Sequence, residues 1–272
     1  MTAPLSKRPA SGSLEEAARR GNDDVGRDLR SAASPRSVDR AISSDAVDLT
    51  EALAAAPYPG RGLAVVRCGN GALGLVCWLT GRSEASRERL LRASGPDLFV
   101  QDRRGGQASD PLRHYRASRQ VHGYDVVGNG DHVDHLAAAI EQRAGAIAAW
   151  CAEQPEPDAP LHTARLLAVV ERTSEAVYLT AVRRGAAGVA EHVGLRVAEL
   201  PAGKGLAMVT YRGDPAAPHV WAEPIWIEVA HALEDQLAAT WAALDPRFRV
   251  AVACRSLEAD ATWTVRAVDG AS

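Results

Sequence analysis

The chain has 272 residues, 46% of them hydrophobic and 24% charged, with a formal net charge of -3. That profile belongs to a globular protein of one large domain or two small ones. It supplies no overall basic field to draw nucleic acid, and no run of 18 apolar residues marks a membrane span.

Lysine is nearly absent, with only Lys7 and Lys204, so arginine supplies almost all the positive charge. The N-terminus carries no apolar signal region. Four cysteines stand at positions 68, 77, 151 and 254, and none forms a C-x-x-C pair. Cys68, Cys77 and Cys254 lie in apolar strand-like runs and Cys151 in a predicted helix. They read as buried reduced thiols, which suits the cytoplasm.

Residues 1–44 are rich in Ser, Ala, Arg and Asp and poor in large apolar side chains. They read as a flexible arm, with residues 45–272 as one domain. A helix is predicted from Asp45 to Ala56, ended by Pro57. Strands follow at 63–68 and 73–80, joined by a hairpin signal at Gly69-Asn70-Gly71. Gly81 to Leu91 opens as a short helix. Strands are expected at 98–101, 114–117 and 124–127.

Val126-Val127-Gly128-Asn129-Gly130-Asp131-His132-Val133-Asp134 is the stretch around which the chain reads as organised. Two apolar residues end a strand. The glycines turn the backbone through conformations that a Cβ resists. Asp131 is placed to cap a helix running from Asp134 to about Glu153, with Leu136, Ile140, Ile147 and Trp150 at helical spacing. Backbone N–H groups, Asn129, Asp131 and His132 thereby converge where an anion or polar substrate can be held. The competing reading is a glycine loop that only turns the chain.

Gln154 to Pro160 is a proline-stiffened connector. Strands are predicted at 164–171, 176–182, 193–197 and 206–211. A helix is predicted over 226–244, and strands at 247–254 and 261–268 close the chain. The count is roughly ten strands and four helices, with no regular strand-helix alternation.

Several motifs line up in order. They are Tyr58-Pro59-Gly60-Arg61-Gly62, Thr80-Gly81-Arg82-Ser83 with Arg87, His114-Tyr115, and Val127 to Asp131 with Asp134. Glu156 to Pro160 with Thr163 and Arg165, Thr210-Tyr211 with Gly213-Asp214, and Glu223-Pro224 complete the set. The series resembles the archaeal-type IMP cyclohydrolase family and its bacterial relatives over about residues 57–230.

The resemblance implies an α+β fold, a four-layer αββα sandwich like that of N-terminal-nucleophile hydrolases. It implies closure of a formamido-imidazole carboxamide ribonucleotide to IMP with loss of water. No autoproteolysis, cofactor or metal is implied. The partner is a nucleotide-like small molecule, and a homo-oligomer is left open.

Ring closure needs the carboxamide nitrogen held near the formyl carbon, donors for the developing oxyanion, a proton acceptor, and cations for the 5′-phosphate. On this resemblance Tyr58, Arg61, Tyr115, Asn129 and Asp131 are the catalytic candidates. Arg82, Ser83, Arg87, His132, Asp134, Arg165 and Glu223 are the substrate-binding candidates. Each has a plainer reading as a surface arginine, a core tyrosine, or a turn or cap residue. His132 and His135, three apart, read either as a metal pair or, for His132, as a proton shuttle.

The chain departs from its relatives at Ala85, Glu88, Arg116 and Leu161, where they tend to carry asparagine. His162 falls where relatives often have an aromatic. Further readings therefore stay open: a diverged cyclase or amide-forming or hydrolysing enzyme of specialised metabolism, a non-catalytic nucleotide-binding module, or a metal-dependent hydrolase. The Gly128-Asn129-Gly130 turn is expected to line a pocket with Arg82. Alanine at Asn129 or Arg82 is then expected to abolish activity with little loss of stability.

Overall fold

The computed structural model describes residues 46–103, 110–258 and 261–268; the 1–44 arm lies outside them. β1 (Val47–Asp48) leads straight into α1 (Leu49–Ala54). β2 (Arg61–Arg67), β3 (Leu73–Thr80), the short α2 (Glu84–Arg87) and β4 (Arg89–Ser94) follow. Next come β5 (Asp97–Asp102), β6 (Tyr115–Val121), β7 (Tyr124–Gly128), α3 (His132–Glu141) and α4 (Ala146–Ala152). β8 (Arg165–Glu171), β9 (Val177–Arg184), β10 (Ala190–Val197) and β11 (Lys204–Val209) continue. The chain closes with β12 (Tyr211–Arg212), β13 (His219–Val220), β14 (Ile225–Glu228), α5 (Leu233–Ala243), β15 (Arg249–Ser256) and β16 (Thr264–Ala267).

The architecture is α+β, with most of its regular structure in two seven-stranded sheets. One has the order β1-β14-β11-β2-β3-β15-β16, the other β10-β9-β8-β7-β6-β5-β4. Within them β1 pairs parallel with β14, and the other pairings are antiparallel.

Strand alternation explains how the layers share their cores. In β2, Leu63 and Val65 point to one face and Ala64 and Val66 to the other. Leu63 and Val65 join a core with Leu98, Val100, Ala168 and Leu179 of the second sheet. Ala64 and Val66 join Leu49 and Leu53 of α1 and Leu237 and Trp241 of α5. Val126 and Val169 of the second sheet pack against Val133, Leu136 and Ile140 of α3. α1 has six residues and would not persist alone. Leu49 and Leu53, 1% and 2% exposed, hold it down at about 1.5–3 kcal/mol each.

Several predicted boundaries move. α1 begins at Leu49 because the Asp48 carboxylate accepts from Thr50 N at 2.6 Å. The expected helix at 81–91 shrinks to one turn, since Arg89–Ser94 pairs with β5 as a strand. The helix expected to about Glu153 breaks after Glu141: Arg143 adopts a φ of 52° and Gly145 starts a separate α4. Trp226 to Glu228, read as the start of a helix, belong to a strand, Ile225–Glu228, paired with β11. Cys68, Cys77 and Cys254 are buried, whereas Cys151 is exposed. Among the described residues no helix is long and apolar enough to cross a membrane.

Candidate active site

A cavity of about 340 Å³ opens where β2 begins and β3 ends. Its walls come from the Tyr58–Arg61 entry, the Thr80–Arg89 turn, residues 110–113, the 156–163 loop and Tyr211. Gly60 sits under this wall with a φ of +72°. A Cβ there would fall 2.1 Å from Thr210 Oγ1 and 2.4 Å from the Tyr211 ring. Glycine is required both for conformation and for space. Tyr58 stacks on Tyr211 at 5.7 Å between centroids, giving the cavity an aromatic side.

Arg61 is the first residue of β2, and its guanidinium is held at two points. It donates to Glu156 Oε2 at 2.5 Å and to the backbone oxygen of Asn129 at 2.7 Å. Burial works against the charge on Arg61, yet Glu156 keeps its pKa well above the ordinary value. Burial raises the Glu156 carboxyl above the usual carboxylate range, with Arg61 opposing it. The second carboxylate oxygen, Oε1, is buried without a hydrogen-bond partner.

Arg89 is the other buried guanidinium of the cavity, 8% exposed. Its Nε donates to Ser86 O at 3.1 Å and one Nη to Thr80 O at 3.2 Å. Among the described residues no carboxylate pairs with it. Burial lowers its pKa, and the neighbouring Arg61 charge adds to that. A desolvated cation held by two carbonyls attracts an anion. Tyr115 is buried beside both arginines; burial raises its phenol and their charges partly offset that.

Behind Arg61 lies the Gly128-Asn129-Gly130 turn, whose glycines serve space rather than conformation. Neither has a positive φ. A Cβ on Gly128 would come within 2.6 Å of His132 Nε2 and 2.7 Å of Leu166 O. The Asn129 side chain donates to Ala164 O at 2.9 Å and accepts from Leu166 N at 2.7 Å. It ties the end of β7 to the start of β8. Asp131 stands at the expected N-cap position without capping; its carboxylate accepts from Arg165 instead. Burial opposes the Asp131 charge, but Arg165 outweighs it and holds the carboxyl below its ordinary value. His132 Nε2 donates to Leu166 O at 2.9 Å, leaving Nδ1 to accept from Arg165 at 3.1 Å. Burial first, and then Arg165, lower its pKa to about 3. A ring neutral and bonded on both sides does not suit a shuttle near neutral pH. His135 turns away to Glu153, so the two histidines form no metal pair.

The cavity thus gathers Tyr58, Arg61 and Ser83 from the expected residues, with Tyr115 and Asn129 directly behind Arg61. Ser83 caps α2 through a reciprocal bond pair with Ser86. Arg82 covers the Tyr58 ring at 5.7 Å and donates to Pro215 O. Arg87 is exposed on α2. Asp134 pairs with Arg116, and Glu223 pairs with Arg183, both outside the cavity wall. The residues that sequence reasoning passed over are Arg89, Glu156, Asp158, Thr163 and Tyr211. All but Arg89 stand inside the motif series. A glutamate and an aspartate in a proline-rich connector were the available signal.

A family model described as IMP cyclohydrolase-like protein matches residues 58–261. The chain belongs to the IMP cyclohydrolase-like family. No curated protein matches the chain significantly. The IMP cyclohydrolase-like match begins at Tyr58, the first residue of the cavity wall, and spans every cavity residue named above.

Proposed function

We propose that this protein is a cyclohydrolase that closes a formamido-imidazole carboxamide ribonucleotide to IMP with loss of water. The observation that carries this is Arg89, a buried cation on the cavity wall with no carboxylate partner among the described residues. A 5′-phosphate supplies the missing anion, and the guanidinium fork suits its oxygens. The cavity volume falls in the usual range for small-molecule sites, about 300–1,000 Å³. The helix–sheet–sheet–helix order of the three cores supports a four-layer αββα sandwich of the N-terminal-nucleophile hydrolase type.

Both reacting groups belong to one molecule, so positioning supplies much of the rate. The stacked Tyr58 and Tyr211 offer aromatic faces to the heterocycle. Arg61 cannot swing, because Glu156 and the Asn129 carbonyl hold it. A fixed charge of that kind stabilises the oxyanion that develops on the formyl oxygen without reorganising. Incubation of the purified protein with the formylated ribonucleotide should yield IMP by absorbance; no IMP would refute this reading.

A second reading, a cyclase for a related substrate, is favoured by Ala85. It lines the cavity where relatives tend to carry asparagine. Comparing kcat/KM for the ribonucleotide with that for analogues altered on the ring separates the two.

A further inference from the structure

On the cavity wall three side chains form a hydrogen-bonded row: Tyr211, Thr163 and Asp158. Its direction follows from the chemistry of its members. Asp158, as a carboxylate, only accepts: it takes Thr163 N–H at Oδ1 at 2.7 Å and the Thr163 hydroxyl at Oδ2. Thr163 has one hydroxyl proton and gives it to Asp158. Its lone pairs are left for the Tyr211 proton. The phenol, pushed up to about 12 chiefly by burial, remains protonated near neutral pH. Its lone pairs are thus left for a donor in the cavity.

We propose that Tyr211, Thr163 and Asp158 are a proton relay that draws the carboxamide N–H proton from the substrate and stores it on Asp158. This rests on the cyclohydrolase reading above. As the nitrogen bonds to the formyl carbon, its N–H bond breaks and a new Tyr211 O–H bond forms. The original Tyr211 proton moves to Thr163 Oγ1, and the original Thr163 proton to Asp158. The reverse passage returns one proton to the formyl oxygen. Loss of water then breaks the C–O bond and takes the second proton from the formamido nitrogen. The protein ends in its starting protonation state. Tyr211 is the catalytic residue of the row, and Thr163 and Asp158 act through it.

Asp158 also folds its own loop, since its carboxylate accepts from Thr163 N at 2.7 Å. The test must therefore spare that role. Thr163→Val keeps the backbone N–H bond to Asp158 and removes only the hydroxyl. We expect kcat to fall about 100-fold with KM within about threefold, the size of lost acid–base assistance. Thr163→Ser should restore kcat to within about threefold of wild type. The solvent proton inventory on kcat should be curved in wild type, where several protons move, and linear in Thr163→Val. Wild-type kcat in Thr163→Val, or loss of kcat that Thr163→Ser does not rescue, overturns the relay alone. If Thr163→Val fails to fold, Tyr211→Phe keeps the ring and loses the hydroxyl; full activity there overturns the relay. A wild-type protein that leaves the ribonucleotide unchanged overturns the cyclohydrolase reading, and the relay with it.

Discussion

The guanidinium of Arg61 donates to Glu156 Oε2 at 2.5 Å, and their side chains are 9% and 3% exposed. The two residues are 95 positions apart and join β2 to the loop before β8. Removing one partner of such a pair leaves a buried charge uncompensated, at about 3–5 kcal/mol. Glu156→Ala should lose that much in chemical denaturation. Replacing both residues with apolar side chains of similar volume should recover much of it while activity stays lost. A Glu156→Ala protein within about 1 kcal/mol of wild type would contradict the account.

Arg89 behaves differently because it has no carboxylate to strand. Arg89→Met should cost less stability than Glu156→Ala, because it strands the Ser86 and Thr80 carbonyls but no charge. KM for the ribonucleotide should rise about 10- to 100-fold, the worth of a charged hydrogen bond. The phosphate-free riboside should show no such change. Equal losses on both substrates would remove the phosphate from this position.

For Asn129 the structure reverses the stability expected from sequence. Alanine there removes two buried hydrogen bonds and leaves Ala164 O and Leu166 N unsatisfied. The cost should be about 2–4 kcal/mol in urea unfolding. Activity should fall as well, since losing those ties loosens the turn whose backbone carbonyl at position 129 holds Arg61. A variant that melts with wild type would restore the simpler picture of a ligand contact.

His132 should give the fold an acid sensitivity. Unfolded, the ring takes its proton near 6.5; folded, it does so only near about 3. Between those values the unfolded chain binds the extra proton. Stability therefore falls as pH falls, by up to about 1.4 kcal/mol per pH unit. Above the unfolded value the ring is neutral in both states and adds no slope. Unfolding free energies measured from about pH 7 to pH 4 should fall more steeply in wild type than in His132→Asn. Parallel slopes would show that the imidazole is not the titrating group.

The strands were readable because their apolar residues serve two faces: Leu63 to Val66 can form little else than a strand buried on both sides. The cavity was only half readable. Tyr58 and Arg61 follow from a local motif that leads into the start of a central strand. Arg89 does not, because its burial depends on Thr80 and Ser86 carbonyls that only the folded turn brings together. The 126–134 stretch forms the strand end, turn and helix start expected of it, but the turn packs behind the cavity and does not line it. Gly-Asn-Gly spells a turn, but nothing local reveals that Leu166 O and His132 will fill the space beside Gly128. Trp226 was placed in a helix because its partners on β11 lie about twenty residues earlier.

Val47–Asp48 ties two parts of the molecule that a ribbon drawing would separate. The same two residues pair with Ile227 and Glu228 on the sheet border and end in the aspartate that starts α1. A protease cut just after Asp48 would therefore unseat a helix and bare a strand border in one event. Open strand borders recruit other chains. Storage losses of this protein should begin there, as clipping followed by self-association, before the cavity at the start of β2 has lost its shape.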